Sequence, residues 1–144
     1  MLRYGRGQYY HAHSDVLPDD KAGPRVATVL LYFGTPEAGG ETSFPSTGAD
    51  DWLDAAARDA AAPALSDCAR GHVAFKPVRG DALVFWSVMP DGATHDGASM
   101  HEGCPVVAGV KWTGARTLAR GAATCAALTS RAVRRSARIH SAPA

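Results

Sequence analysis

Hydrophobic and polar positions along this chain alternate in short bursts, and the densest burst is RVATVLLYF, Arg25 to Phe33. Its β-branched and aromatic content predicts a strand. A two-residue period puts Val26, Thr28, Leu30 and Tyr32 on one face and Ala27, Val29, Leu31 and Phe33 on the other. Apolar residues on both faces predict a strand covered on both sides. After a turn at GTPEAGG, the segment GGETSF predicts a second strand, with Gly39 and Gly40 at the bend. HVAFKPV and DALVFWSV predict two more, joined tightly at Arg79 and Gly80, and CPVVAGVKWTG predicts a last one bent at Gly109.

Two stretches break this pattern. GADDWLDAAARDAAAPAL is Ala-rich and predicts one short inserted helix, capped by Asp50 or Asp51 and ended by Pro63. MPDGATHDGASMHEG is rich in Gly, Asp and Ser and predicts a loop. There is no internal repeat. Several short strands separated by turn signals predict a β-sandwich or barrel of jelly-roll type, the double-stranded β-helix.

Composition changes this picture mainly at the C-terminus. The 144 residues suit one domain. Residues 115–144 hold six arginines and no acid, while residues 1–114 hold nine Lys/Arg against fourteen Asp/Glu. The tail TSRAVRRSARIHSAPA has no apolar stripe and no interleaved aromatics, so it predicts disorder rather than a nucleic-acid surface. The expected division is therefore a domain over 1–114 and an Ala/Arg/Ser-rich tail over 115–144. No apolar run approaches the roughly 18 residues of a membrane span. The opening MLRYGRGQYYHAHSD is polar and unlike a signal peptide. Three cysteines, Cys68, Cys104 and Cys125, show no C-x-x-C spacing, which argues against a structural zinc site.

The chemistry concentrates in YYHAHSDVL, where His11, His13 and Asp15 occupy alternate positions of an extended segment. A third candidate imidazole, His101, follows 86 residues after Asp15. Two ligands on one strand and one from a distant strand form the layout of a 2-His-1-carboxylate triad, which occupies one face of Fe(II) and leaves positions open. Spacing alone does not choose between His11 and His13. Ten residues beyond His101, Lys111 lies inside the apolar VVAGVKWTG. A lysine buried there needs an anion, and a dicarboxylate chelating iron at its far end would supply one.

Five segments in order, YGRGQYYHAHSD, RVATVLLY, GGETSFP, KPVRGDALVFW and SMHEGCPVVAGVKW, give the chain a close resemblance to the catalytic domain of the plant and algal prolyl 4-hydroxylases, covering about residues 4–112. These enzymes belong to the Fe(II)/2-oxoglutarate dioxygenases. The resemblance implies His13, rather than His11, with Asp15 and His101 as iron ligands. It implies Lys111 on the distal carboxylate of 2-oxoglutarate, helped by Tyr4 and Thr42, and Tyr10 and Arg25 near the peptide. It also implies the reaction: 2-oxoglutarate and O2 are consumed, succinate and CO2 released, and C4 of a peptidyl proline hydroxylated, with ascorbate keeping the iron reduced. A proline-rich protein substrate in the endoplasmic reticulum or secretory pathway follows from the same resemblance, as does a Cys68–Cys104 disulfide. Trp86 and Trp112 are expected in the core. The chain begins almost at the first shared segment, so a domain lacking its usual N-terminal part is expected. Two other readings fit the same segments: an oxygenase with a different substrate, and a non-catalytic remnant that binds peptide. The residues give no oligomeric state.

Overall fold

The computed structural model describes residues 1–16, 25–52, 54–61 and 64–119. Among these residues ten strands and one α-helix follow in chain order. They are β1 (Leu2–Tyr4), β2 (Tyr10–His13), β3 (Arg25–Tyr32), β4 (Ala38–Gly39), β5 (Thr42–Phe44), α1 (Ala55–Ala61), β6 (Val73–Phe75), β7 (Ala82–Trp86), β8 (His101–Gly103), β9 (Val106–Ala108) and β10 (Lys111–Ala119). One antiparallel sheet has the order β1-β10-β3-β7 and a second the order β2-β8-β5-β6, with β4 and β9 pairing separately. Side chains from both four-stranded sheets meet in one core: Tyr32 and Leu83 from the first touch Phe44 from the second, with Leu30, Phe85, Val73 and Phe75 around them. This is the jelly roll expected from the strand pattern.

Crossover loops carry the geometry that the strands cannot. Gly39 has φ 70°, and a Cβ there would stand 2.3 Å from the Pro105 carbonyl oxygen, so only glycine fits between β4 and the chain entering β9. Gly109, at φ 78°, turns β9 into β10, where a Cβ would meet the Glu37 backbone at 2.8 Å. The single bent strand expected over CPVVAGVKWTG is thus two strands, because the positive φ at Gly109 ends one ladder and starts another.

Four expectations need correction. The helix cap is Asp54, whose Oδ1 accepts from the Ala56 and Ala57 amides, while Asp51 is used in the preceding 3-10 turn, where it accepts from Gly48 N. The sheet does not end at residue 114: β10 continues to Ala119, pairing with β3 as far as Arg25. β3 is not covered on both sides among the described residues, since Leu31 and Phe33 are exposed, as are Val84 and Trp86 on neighbouring β7. Trp86 therefore lies on an open sheet face rather than in the core, and half-buried Trp112 stacks under the Arg3 guanidinium at 5.9 Å. The helix stop at Pro63 and the tail over 120–144, with Cys125, lie outside the described residues.

Cys68 and Cys104 are joined by a disulfide, as the resemblance implied. It fastens the turn around Leu65 and Ala69 to the end of β8, and those residues with Ala74 form a second small core.

Candidate metal centre and its cavity

Strand register explains why two distant histidines meet. β2 and β8 pair antiparallel with His13 directly opposite His101, and their rings lie 4.3 Å apart. Asp15 follows just past the end of β2, with Oδ1 3.8 Å from His13 Nε2 and Oδ2 3.8 Å from His101 Nε2. One ligand atom from each of the three residues lies within 4.8 Å of the others. His11 is exposed and turned away, edge-on to Tyr9 at 4.8 Å, so the alternation that put it level with His13 does not bring it to the site.

Both imidazoles are oriented by backbone carbonyls. His13 Nδ1 lies 2.8 Å from the His11 carbonyl and His101 Nδ1 3.0 Å from the Ser99 carbonyl. A carbonyl oxygen only accepts, so each Nδ1 carries the proton, and Nε2 of a neutral ring presents its lone pair. Burial holds the His101 imidazole below its usual pKa, against the opposing bond from Ser99, and so favours the neutral form a metal needs. Phe85 and Phe44 pack against this ring at 4.6 and 6.1 Å. Asp15 Oδ2 accepts from the Thr28 hydroxyl. The next residue back, Ser14, bonds His95 at 2.9 Å and ties the 88–96 loop to the site. Two imidazole nitrogens and a carboxylate, with no thiolate among them, suit a divalent first-row metal such as Fe(II).

The three groups open into a cavity of about 560 Å³, which all eight residues singled out in the sequence line: His13, Asp15, His101, Lys111, Tyr4, Thr42, Tyr10 and Arg25. Lys111 opens β10, opposite Tyr4 of β1. It is 4% exposed and has no ion pair among the described residues. Its Nζ reaches the Thr42 hydroxyl at 3.5 Å and lies 5.9 Å from the centres of the Tyr4 and Tyr32 rings. Burial drives its pKa down to about 8, and the nearby Glu41 charge resists that shift. An anion entering the cavity would restore what burial removes. The donor cluster and the lysine thus fit a metal at one end and a carboxylate at the other.

A profile of the 2OG-Fe(II) oxygenase superfamily matches residues 1–116 of this chain. The chain belongs to that superfamily. Within it, the chain is 42% identical over 126 residues to the Arabidopsis thaliana protein named "Probable prolyl 4-hydroxylase 10", a match covering 82% of the chain and 40% of the relative. It is 41% identical over 127 residues to "Prolyl 4-hydroxylase 2" of the same plant, covering 78% and 38%. Among solved structures it is similar to the viral collagen prolyl hydroxylase of Paramecium Bursaria Chlorella virus-1 in its 2OG complex. That likeness has a TM-score of 0.55 at 28% identity, over 80% of this chain and 54% of that one. The chain spans about two fifths of the length of the curated relatives it matches.

Three residues of the site were not singled out in the sequence. Tyr32 is buried at the lysine end and donates to the Thr42 hydroxyl at 2.9 Å, and burial pushes its phenol up to about 12. Glu41 is fully buried, with its carboxylate on the Ser66 amide and hydroxyl at 2.9 and 2.8 Å and its own carbonyl accepting from Cys104 N. Thr28, also fully buried, holds Asp15. The only signal for any of them was a polar group inside an apolar or glycine-bounded strand.

Proposed function

We propose that this chain is the catalytic part of a prolyl 4-hydroxylase, using Fe(II), 2-oxoglutarate and O2 to hydroxylate C4 of a peptidyl proline and releasing succinate and CO2. The observation that carries the reading is the pairing, in one cavity, of the His13–Asp15–His101 cluster with a buried lysine that has no ion pair among the described residues. In this reading the three side chains hold the iron, whose chemistry when bound is O2 activation coupled to decarboxylation of 2-oxoglutarate. Lys111 takes the distal carboxylate, Thr42 and Tyr32 hold the ammonium's surroundings polar on one side, and Tyr4 closes the other. Tyr10 and Arg25 line the same cavity, and Tyr10, its ring 4.3 Å from that of His13, is 52% exposed and would meet the substrate. An exposed aromatic beside the cavity suits a proline-rich peptide, which arrives already extended. Support comes from the relatives' names and from all eight residues converging.

Ascorbate as the reductant of uncoupled turnovers, a secretory-pathway location, and a division into this domain and a basic tail belong to the same reading. No helix among the described residues is long and apolar enough to cross a membrane. The test is turnover with Fe(II), 2-oxoglutarate, ascorbate and a proline-rich peptide, following succinate and peptide mass. Succinate with hydroxyproline, both lost in Asp15→Ala, is the expected result. Succinate without hydroxyproline points to another substrate. Metal binding without succinate leaves a peptide-binding remnant.

A further inference from the structure

Among the described residues each candidate ligand is steadied by one hydrogen bond, but the three bonds differ in kind. Those on His13 and His101 come from the backbone carbonyls of His11 and Ser99, which a side-chain substitution leaves in place. The bond on Asp15 comes from a side chain, the hydroxyl of Thr28. Thr28 sits on the inward face of β3, in register with Phe85 of β7 and Thr117 of β10, and has no exposed surface. A hydroxyl buried there has no water to bond, and Asp15 is itself largely buried, its side chain 14% exposed. The donor and the carboxylate therefore depend on each other.

We propose that Thr28 is a positioning residue that sets the metal affinity of this centre by fixing the rotation of the Asp15 carboxylate. The inference rests on the metal-centre reading above. Asp15 lies beyond the last residue of β2, where no ladder bond among the described residues holds its backbone in register, so its side chain needs an external anchor more than either histidine does. Thr28 supplies that anchor from the other sheet. Without it the carboxylate is free to turn about its last torsion, and ordering it again is charged to metal binding. Partners of this kind typically change metal affinity 10–100-fold.

The experiment measures Mn(II) affinity on the full chain, counting free Mn(II) by its EPR signal, for wild type, Thr28→Val, Thr28→Ser and Asp15→Ala, with ligand-free melts alongside. Thr28→Val keeps the branched shape and loses the hydroxyl; it is expected to bind Mn(II) roughly 10–100-fold more weakly. Thr28→Ser, which keeps the hydroxyl, is expected to return to within about threefold of wild type, a rescue that a packing role alone does not give. Wild-type affinity in Thr28→Val together with its loss in Asp15→Ala overturns the inference and leaves the metal centre standing. Equal weakening in the Val and Ser variants overturns it in favour of packing. Unchanged affinity in Asp15→Ala removes the metal-centre reading, and the inference with it. If Thr28→Val gives no cooperative melt, Thr28→Ala, which also lacks the hydroxyl, carries the same comparison.

Discussion

At the histidine end of the cavity, each side chain that could hold a metal already has a hydrogen-bond partner, whereas at the lysine end a buried ammonium faces one hydroxyl 3.5 Å away and two tyrosine rings. The first end is held by the protein's own hydrogen bonds, so binding costs little in ordering its groups. The second end is strained by desolvation, and an arriving anion relieves a cost the fold has already met. In the proposed reading one site combines two routes to affinity. Substitutions should separate them, because damage at the first end removes binding while damage at the second removes binding yet steadies the fold.

The largest effect is expected from His13→Ala, which should eliminate metal-dependent turnover and Mn(II) binding together. His11→Ala should keep both, because His11 contributes only its main-chain carbonyl, which alanine also has. Comparing Mn(II) titrations of the two variants is decisive; the reverse ranking would mean that the ring pairing across β2 and β8 is not the centre.

A second, smaller effect concerns the support behind the histidine end. Cys68 and Cys104 close a loop with a sequence separation of 36, and chain-entropy arguments put the stabilisation from such a bond at about 4 kcal/mol. Urea unfolding of the oxidised and reduced protein should differ by roughly 2–4 kcal/mol. Coincident curves would show that the Glu41–Ser66 contacts and the Leu65–Ala69 core hold that region unaided.

The third tests the lysine end through pH, and its effect is of the same order as the second. Lys111 falls from an ordinary 10.5 to about 8 in the folded protein. Between those values the unfolded chain keeps a proton that the folded chain has released, so stability rises with pH through that window and the gain is absent below about 8. The full span corresponds to about 3 kcal/mol. Tyr32, pushed up to about 12, opposes the rise above its ordinary 10, so the useful window is pH 8 to 10. Lys111→Met should be more stable than wild type at pH 7, should lose the rise, and should no longer be stabilised by 2-oxoglutarate. A wild-type melt that is flat from pH 8 to 10 would place the ammonium in better company than the structure gives it.

The longer strands were legible because alternation and turn residues are local signals, whereas β1, β4 and β8 are too short to carry a pattern. Of the eight cavity residues, spacing offered Asp15, His101 and Lys111 and left His11 and His13 open, and the resemblance supplied the rest. The helix start was misread because Asp50, Asp51 and Asp54 are chemically equal candidates in the sequence, and only the path of the chain decides which carboxylate meets free amides. The covering of β3 was misread because period-2 alternation says which residues share a face, not whether anything packs on that face. Thr28 looked like any β-branched strand former, and Glu41 like a charge beside a turn. Gly39 and Gly40, with φ of 70° and 74°, swing the chain so that the glutamate enters the protein instead of leaving it. These roles depend on neighbours from the second sheet and from the 65–70 turn, which no window of sequence contains.

The register of β10 has a consequence for how such a gene can change. Tyr4 opposite Lys111 and Tyr32 opposite Thr113 keep the lysine and its hydroxyl-bearing neighbours on the inward side of one sheet, while the turn at Gly109 counts out the residues from β8. Losing or gaining one residue in that count would send Lys111 to the outer face and bring Trp112 inward. Point substitutions can therefore drift the lining of the cavity by degrees, but length changes between His101 and Lys111 act all at once. Descendants of this sequence should vary in the letters of that span long before they vary in its length.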